Sequence, residues 1–368
     1  MKKKLLMITP QTKNAIFRAD LMKDIVKKGY EVVVVIPEDE GQAFFKKNGI
    51  KTRILEMDKN SISILRNISY YKELKQIIEK EKPDKVFSFA IKPVIFGSIA
   101  AHKAGIKDIY SLVCGLGYVY SESSFKHKIL QSICDKAYRR AFRYNKKVVF
   151  QNRDDIDEFL KRNNLTKDKC KLVNGSGVNL SKFKKNDLPK GISFLMISRI
   201  LKEKGVLEYF EAARIVKEKY PETKFVYVGQ LDSGQSAIKN DNIKPYIDSK
   251  IVDYVSFTDD IAKYYEKCNV VVLPSYYREG IPRTLIEATA MGRPIITTNT
   301  PGCKETVTEG INGWFVKTRN VSDLSDKMEW MIKHKDKLQE MGDASYEKCL
   351  EKFTINKINA EMMRIMEI

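Results

Sequence analysis

Residues 270–299 read VVVLPSYYREGIPRTLIEATAMGRPIITTN, and how this stretch divides decides the fold. VVVLP (270–274) is short, apolar and β-branched, as a strand buried on both faces should be. Leu285, Ile286, Ala288 and Ala290 can pack a helix against that sheet. Pro282 fits the first turn of the helix, where its missing N–H costs nothing. Gly292-Arg293-Pro294 then leads into a second strand, PIITTN (294–299). Strand, loop, helix and strand in succession build a parallel α/β sheet.

The same rhythm runs through the chain. In the first half the strand candidates are KLLMIT (4–9), EVVVVI (31–36), KTRILEM (51–57), KVFSFA (85–90), DIYSLV (108–113), KKVVFQ (146–151) and CKLVNG (170–175). It restarts with SFLMIS (193–198), KFVYVG (224–229), DYVSFT (253–258), VVVLP, PIITTN and GWFVKT (313–318). Residues 174–191, NGSGVNLSKFKKNDLPKG, read as the linker between the two series. The expectation is two doubly wound, Rossmann-like α/β domains facing each other across a cleft, with ligands beyond the carboxyl ends of the strands. The domains are expected at 1–175 and 176–352, with a helix at 353–368 crossing back to the first.

Composition agrees with a folded chain of this size: 368 residues, 43% hydrophobic and 31% charged, suit two globular domains. The net charge of +19 favours an anionic partner, whether nucleic acid, acidic membrane or phosphorylated substrate, although AT-biased, lysine-rich coding would produce the same excess. No recognition helix, zinc spacing or aromatic RNA-binding run supports nucleic acid. Six scattered cysteines without a CxxC pair read as reduced thiols of a cytosolic protein. The apolar core of the opening MKKKLLMITP is too short for a signal peptide, and no stretch approaches 18 apolar residues.

Glu279 and Glu287 stand eight positions apart, one just before the helix and one inside it. The helix start near Gly280 and Ile281 offers unpaired N–H groups and a positive dipole end, a site suited to diphosphate. Glu287 can accept two hydrogen bonds from a vicinal diol such as ribose, and Glu279 would point toward whatever hangs from the diphosphate.

In this context EGIPRTLIEATAMGRPII resembles the E-x7-E signature of retaining GT-B glycosyltransferases of family 4. The resemblance extends over ISRILKEKGV, GQLDSG, FTDDIAKYYEKCNVVVLPS, PGCKETVTEGINGWFV and GSGVNLSKF, and in the first half over IKPVIFGSIAAHKAGIK and CGLGYVYS. It implies a donor-binding second domain and an acceptor-binding first one. Arg199 and Lys204 match the basic pair on the donor diphosphate. There they would neutralise charge on the leaving group, with Glu279 positioning the transferred sugar and no metal or other cofactor required. Gly229 and the turn at Thr258 and Asp259 would hold the base, uracil being favoured over guanine.

The likeness is strongest to bacterial enzymes that glycosylate undecaprenyl-diphosphate-linked sugars. It implies a UDP-sugar donor, with N-acetylgalactosamine the favoured sugar, a polyprenyl-diphosphate-linked acceptor, and peripheral attachment at the cytoplasmic face of the inner membrane. Arg18 matches an arginine found at this point in such relatives, a candidate contact for the acceptor phosphate that reads equally as a helix-surface arginine. Lys92 is a candidate phosphate contact, and Gly115 and Gly117 permit a tight loop beside it. Lys136, Arg140, Arg143 and Lys147 fall within roughly 60° of a helical wheel, with Ile133, Cys134, Ala137 and Ala141 on another side. That stripe suits anionic headgroups, the acceptor diphosphate or simple solvation. Ile91 stands where many family members carry a sugar-contacting histidine, and His102 reads as structural. Asp155-Ile156-Asp157 reads as part of a helix start rather than a metal site. A non-hydrolysing nucleotide-sugar epimerase is the alternative enzyme of similar architecture.

Overall fold

A computed structural model describes residues 2–38, 41–58, 63–120, 124–162, 164–232, 236–256, 258 and 260–368. Contacts group them into two compact units, residues 1–176 with 356–368, and residues 177–355.

The first unit carries β1 (Lys4–Ile8), β2 (Glu31–Ile36), β3 (Lys51–Ile54), β4 (Lys85–Phe89), β5 (Asp108–Val113), β6 (Lys147–Phe150) and β7 (Cys170–Leu172). The second carries β8 (Ser193–Ile197), β9 (Lys224–Val228), β10 (Asp253–Val255), β11 (Val270–Leu273), β12 (Ile295–Thr298) and β13 (Gly313–Val316). Each strand candidate of the sequence is present. The sheet orders are β3-β2-β1-β4-β5-β6-β7 and β10-β9-β8-β11-β12-β13, with parallel neighbours throughout. Both orders reverse beside their first strand, between β1 and β4 and between β8 and β11. A crevice opens beyond the carboxyl ends of the strands at such a point.

The chemistry of the strands explains their position. β4, β8, β11 and β12 are buried along their whole length, as strands covered by helices on both faces must be. Several helices begin where a side chain accepts an otherwise unpaired N–H group. Ser124 caps Phe125–Tyr144, Asn152 caps Arg153–Lys161, and Asn320 caps Val321–Lys333. The final helix, Ile355–Met366, buries Ile358, Met362 and Ile365 beside Leu21, Met22 and Ile25 of the first unit. Among the described residues, no helix is long and apolar enough to cross a membrane.

Three sequence expectations need correction. Residues 177–191 are not a free linker. Val178 and Phe183 are buried in the second unit's core, and the Val178 N–H donates to the Phe353 carbonyl at 2.9 Å. Arg293, fully buried, donates to the Asn186 carbonyl at 3.2 Å and to Asn186 Oδ1 at 2.6 Å, tying the same segment down. Lys147 leaves the basic helical stripe. The helix stops at Tyr144, and Lys147 opens β6 with its Nζ 3.0 Å from the Asp168 carbonyl. Ile133 is 59% exposed instead of lying on the packed side with Cys134 and Ala137.

One carboxylate of the first unit predicts a pH effect. Burial alone would push the Glu81 carboxyl up from 4.5, but hydrogen bonds from Lys4 (3.0 Å) and Arg53 (2.7 Å) outweigh it and hold the value down. A lowered folded value stabilises the protein above the unfolded pKa and is lost as pH falls through the folded one. Glu81→Gln is therefore expected to lower Tm at neutral pH and to flatten the acid limb of Tm against pH. An unchanged acid limb would exclude this cluster as its source.

Candidate functional site

The loops after β8 and β11 leave their strands side by side at the second switch point. They are held together by one carbonyl. Glu203 O accepts from the Tyr276 N–H at 2.8 Å and the Tyr277 N–H at 3.1 Å. Gly205 makes this approach possible. Its φ is +76°, and a Cβ there would run into the Pro274 carbonyl. The loop after β12 joins the other two through Gly302, at φ +82°, where a Cβ would collide with the Gly280 carbonyl. Thr300 Oγ1 reinforces it by donating to Ser275 O at 3.1 Å.

This stitching brings Lys204 and Glu279, 75 positions apart, into an ion pair. Their side chains are only 12% and 14% exposed, so the pair is shielded and can act strongly on a ligand. The Ser275 hydroxyl lies 3.3 Å from Glu279 Oε1 and 3.2 Å from Glu203 O, and its single hydrogen serves one of them at a time. Lys204 Nζ also sits 5.4 Å from the Tyr277 ring centroid, a cation–π contact.

The helix behind these loops is Arg283–Ala290, with Pro282 at the capping position rather than in the first turn, and Gly280 and Ile281 buried just ahead of it. Glu287 is 5% exposed. Its Oε1 accepts from Arg283 Nε at 2.7 Å and its Oε2 from the Tyr265 hydroxyl at 3.2 Å. Burial pushes the Glu287 carboxyl above its ordinary value, with Arg283 and Tyr265 pulling the other way. A carboxylate has about four lone-pair directions, so each oxygen keeps acceptor capacity for a diol.

Arg199 is not drawn into the Lys204–Glu279 pair. Its Nη1 lies 2.7 Å from Asp232 Oδ2, on the loop after β9. Gly229 opens the same loop. A Cβ there would strike the Ser198 carbonyl, and the Gly229 carbonyl accepts from the Tyr254 hydroxyl at 3.1 Å. Thr258 Oγ1 accepts from the Asp260 N–H at 3.1 Å, and Asp259 lies outside the described residues.

In the first unit the other switch point holds Arg18, only 8% exposed. Its guanidinium lies 5.0 Å from the Phe89 ring centroid and 3.8 Å from Cys114 Sγ, and among the described residues no carboxylate pairs with it. A buried cation without a counterion is costly, so this environment favours an anion from outside. Gly115 (φ +94°) and Gly117 (φ +64°) shape the loop that follows Cys114. Lys92 Nζ donates to the Asp58 carbonyl at 2.5 Å, and burial pulls its pKa down. Lys136, Arg140 and Arg143 are exposed on the helix Phe125–Tyr144. His102 stacks on Tyr144 with ring centroids 3.8 Å apart. Asp155 belongs to the helix start, where its N–H donates to Asn152 Oδ1 at 2.8 Å. Among the described residues, no group of three or more His, Cys, Asp or Glu side chains could hold a metal ion.

The reading of residue types alone missed Tyr265, Arg283 and Gly302. Arg283 and Glu287 are spaced i, i+4, which marks an intrahelical pair. Tyr265 carries no such signal, because it reaches Glu287 only through the fold.

Residues 179–348 match the family described as "Glycosyl transferases group 1", and residues 8–152 the family "Glycosyl transferase 4-like". The N,N'-diacetylbacillosaminyl-diphospho-undecaprenol alpha-1,3-N-acetylgalactosaminyltransferase of Campylobacter jejuni is 30% identical over 333 residues, 86% of this chain and 85% of its own. The UDP-Gal:alpha-D-GlcNAc-diphosphoundecaprenol alpha-1,3-galactosyltransferase of Escherichia coli is 26% identical over 71% of each chain. Among solved structures, Anabaena HepE in complex with UDP and glucose superposes with a TM-score of 0.79 at 16% identity, covering 99% of each chain, a likeness of fold alone. With both halves matched and a relative of this identity spanning most of its length, the chain belongs to the group 1, family 4-like glycosyltransferases of GT-B fold.

Proposed function

We propose that this glycosyltransferase moves a hexose or N-acetylhexosamine, N-acetylgalactosamine first among them, from a UDP-sugar to a saccharide on undecaprenyl diphosphate, with retention at the anomeric carbon. The observation that carries the donor half is the shielded Lys204–Glu279 pair at the switch point of the second sheet. An ammonium there suits the diphosphate leaving group, and a carboxylate beside it suits the hydroxyls of the sugar. In this reading the second unit binds the donor. Glu287 takes the ribose, the helix start after Gly280 and Ile281 supports the diphosphate, and the turns at Gly229, Thr258 and Asp259 take the base. Arg199 reaches the diphosphate by exchanging its Asp232 partner for it.

The acceptor half is supported by Arg18, a buried guanidinium without a carboxylate partner among the described residues, and by the printed activities of the Campylobacter and Escherichia relatives. Lys92 and the Gly115–Gly117 loop stand in the same unit as further acceptor contacts. A lipid-linked acceptor places the enzyme's work at the cytoplasmic face of a membrane.

A panel of UDP- and GDP-sugars offered with a short-chain polyprenyl-diphosphate saccharide in detergent, read by product mass, tests both halves. UDP-N-acetylgalactosamine is expected to add one N-acetylhexosamine, with the α-linkage seen by NMR. Exclusive use of GDP-sugars, or product forming only on acceptors without diphosphate, would refute the reading. For the ribose, Glu287→Ala is expected to weaken UDP binding while leaving 2′,3′-dideoxy-UDP nearly unaffected, by calorimetric titration. Equal losses for both nucleotides would deny Glu287 that role.

A further inference from the structure

Tyr265 is fully buried, and its hydroxyl reaches two acceptors on the helix Arg283–Ala290: Glu287 Oε2 at 3.2 Å and the Thr284 carbonyl at 3.0 Å. A phenol has one hydrogen, so it serves only one of them at a time. Both ends of the residue are held. Its carbonyl accepts from Nε of the buried Arg293 at 2.8 Å, and its ring lies edge-on to Phe183 with centroids 6.1 Å apart. What remains free is the turn of the hydroxyl hydrogen.

The two settings of that hydrogen match the two states of the Glu287 carboxyl. With Glu287 ionised, Tyr265 donates to Oε2. With Glu287 protonated, the acid O–H donates to the phenol oxygen, and Tyr265 turns its own hydrogen to the Thr284 carbonyl. One proton enters from water, no other bond is made or broken, and the phenol and Oε2 stay bonded in either state. Burial favours the neutral acid, and the bonds from Arg283 and Tyr265 oppose it.

The surroundings leave these two partners in control. Lys182, on the segment before β8, adds a weaker attraction than Arg283. On the short helix of Tyr265 itself, Ala262–Glu266, both Lys263 and Glu266 are exposed. Cys268 beside it is pushed up to about 12 by burial and stays a neutral thiol. The strands β11 and β12 carry no charged residue, and the buried residues of the neighbouring helix Leu338–Lys352 are all uncharged. The turn Lys304–Thr306, also packed on the Glu287 helix, brings Lys304 and Glu305, which are half-buried and of opposite sign.

We propose that Tyr265 is a positioning residue for the donor: giving its hydrogen to Glu287 holds that carboxylate in the charged state that accepts a ribose diol, and turning the hydrogen to Thr284 lets Glu287 take up a proton and loosen its hold. The inference rests on the reading of Glu287 as the ribose ligand and adds that the grip on the ribose follows pH. A hydrogen bond to the ionised form lowers a carboxyl's pKa. Removing it raises that value, so ribose affinity must start to fall at a higher pH when the Tyr265 hydroxyl is gone.

Tyr265→Phe removes one oxygen and keeps the ring. Carboxyl carbon-13 NMR of the full chain without added nucleotide, with Glu287→Gln identifying the signal, follows the titration of Glu287 directly. Its midpoint is expected about one pH unit higher in Tyr265→Phe than in the wild type, about a tenfold change in proton affinity. In calorimetric titration, the ratio of UDP to 2′,3′-dideoxy-UDP affinity should fall on acidification in both proteins, along limbs displaced by the same amount. The second nucleotide carries the same diphosphate, so the titration of that group cancels. Glu266→Gln, exposed on the same short helix, should match the wild type in both measurements. A midpoint unmoved or lowered in Tyr265→Phe would overturn the inference, as would a ratio reduced equally at every pH, the mark of a packing role alone. The NMR signal needs no nucleotide, which keeps the two readings apart. A displaced midpoint with a ratio indifferent to pH would support the Tyr265 relay and count against the ribose role of Glu287.

Discussion

Lys204→Ala is expected to slow sugar transfer by about 10²–10³, with a much smaller change in UDP affinity. The magnitude is that of removing one preorganised transition-state donor, about 2.7–4 kcal/mol. Charge on the departing diphosphate grows as the glycosidic bond breaks, so a cation held in a shielded site helps the transition state more than the bound donor. The ion pair adds a second expectation. Lys204 is engaged by Glu279, and a diphosphate bound there shares the ammonium with the carboxylate. Glu279→Gln keeps the size and one hydrogen-bond acceptor but removes the charge. It should hold UDP as tightly as the wild type or tighter, while transfer falls. The double variant should lose less than the sum of the single losses, because the two groups interact directly. Full turnover in a single variant would take that residue out of the reaction, and strictly additive losses would mean that the two act independently.

Gly302→Ala should abolish UDP binding and lower the stability of the second unit by about 2–5 kcal/mol. The left-handed backbone costs a Cβ-bearing residue about 1–2 kcal/mol, and the forced approach to the Gly280 carbonyl adds roughly 1–3 kcal/mol of overpacking. The only relief is separation of the loop after β12 from the Glu279–Gly280 loop, which disturbs the Lys204–Glu279 geometry. Gly310→Ala isolates that contribution. Gly310 has a similar φ of +75°, but a Cβ there meets only the Trp314 ring at 3.8 Å. It should show the conformational penalty alone, with donor binding intact. Melting curves and UDP titration of the two variants decide the matter. Equal behaviour would mean that the close loop approach is not needed.

The inner strands were readable because they are buried on both faces. Double coverage by helices leaves uninterrupted runs such as VVVL and SFLMI, which few other structures tolerate. The signature around Glu279 and Glu287 was equally legible, since its parts are local. What eluded residue types was partnership. Arg199 looks like a companion of Lys204 five positions on, yet it lies against Asp232, because the loop after β9 runs beside the loop after β8. A helical wheel carries the basic stripe on to Lys147, but the helix ends at Asn145, a break the spacing does not show. Apolarity alone places Ile133 on a packed side, although exposure depends on which neighbours the fold brings to it.

By itself, the sequence determined the alternation of strand and helix, the pairing of that pattern into two wound sheets, and the carboxylate, lysine and glycine positions of the donor loops. These follow from periodicity and backbone preference, which act over a few residues. Only the tertiary structure decided that Lys204 meets Glu279 across 75 positions, that Tyr265 and Arg283 brace Glu287, and that Arg18 lies buried beside Cys114. Those contacts depend on where parallel strands reverse their order and bring distant loops to one edge, a property of the assembled sheet rather than of any segment in it.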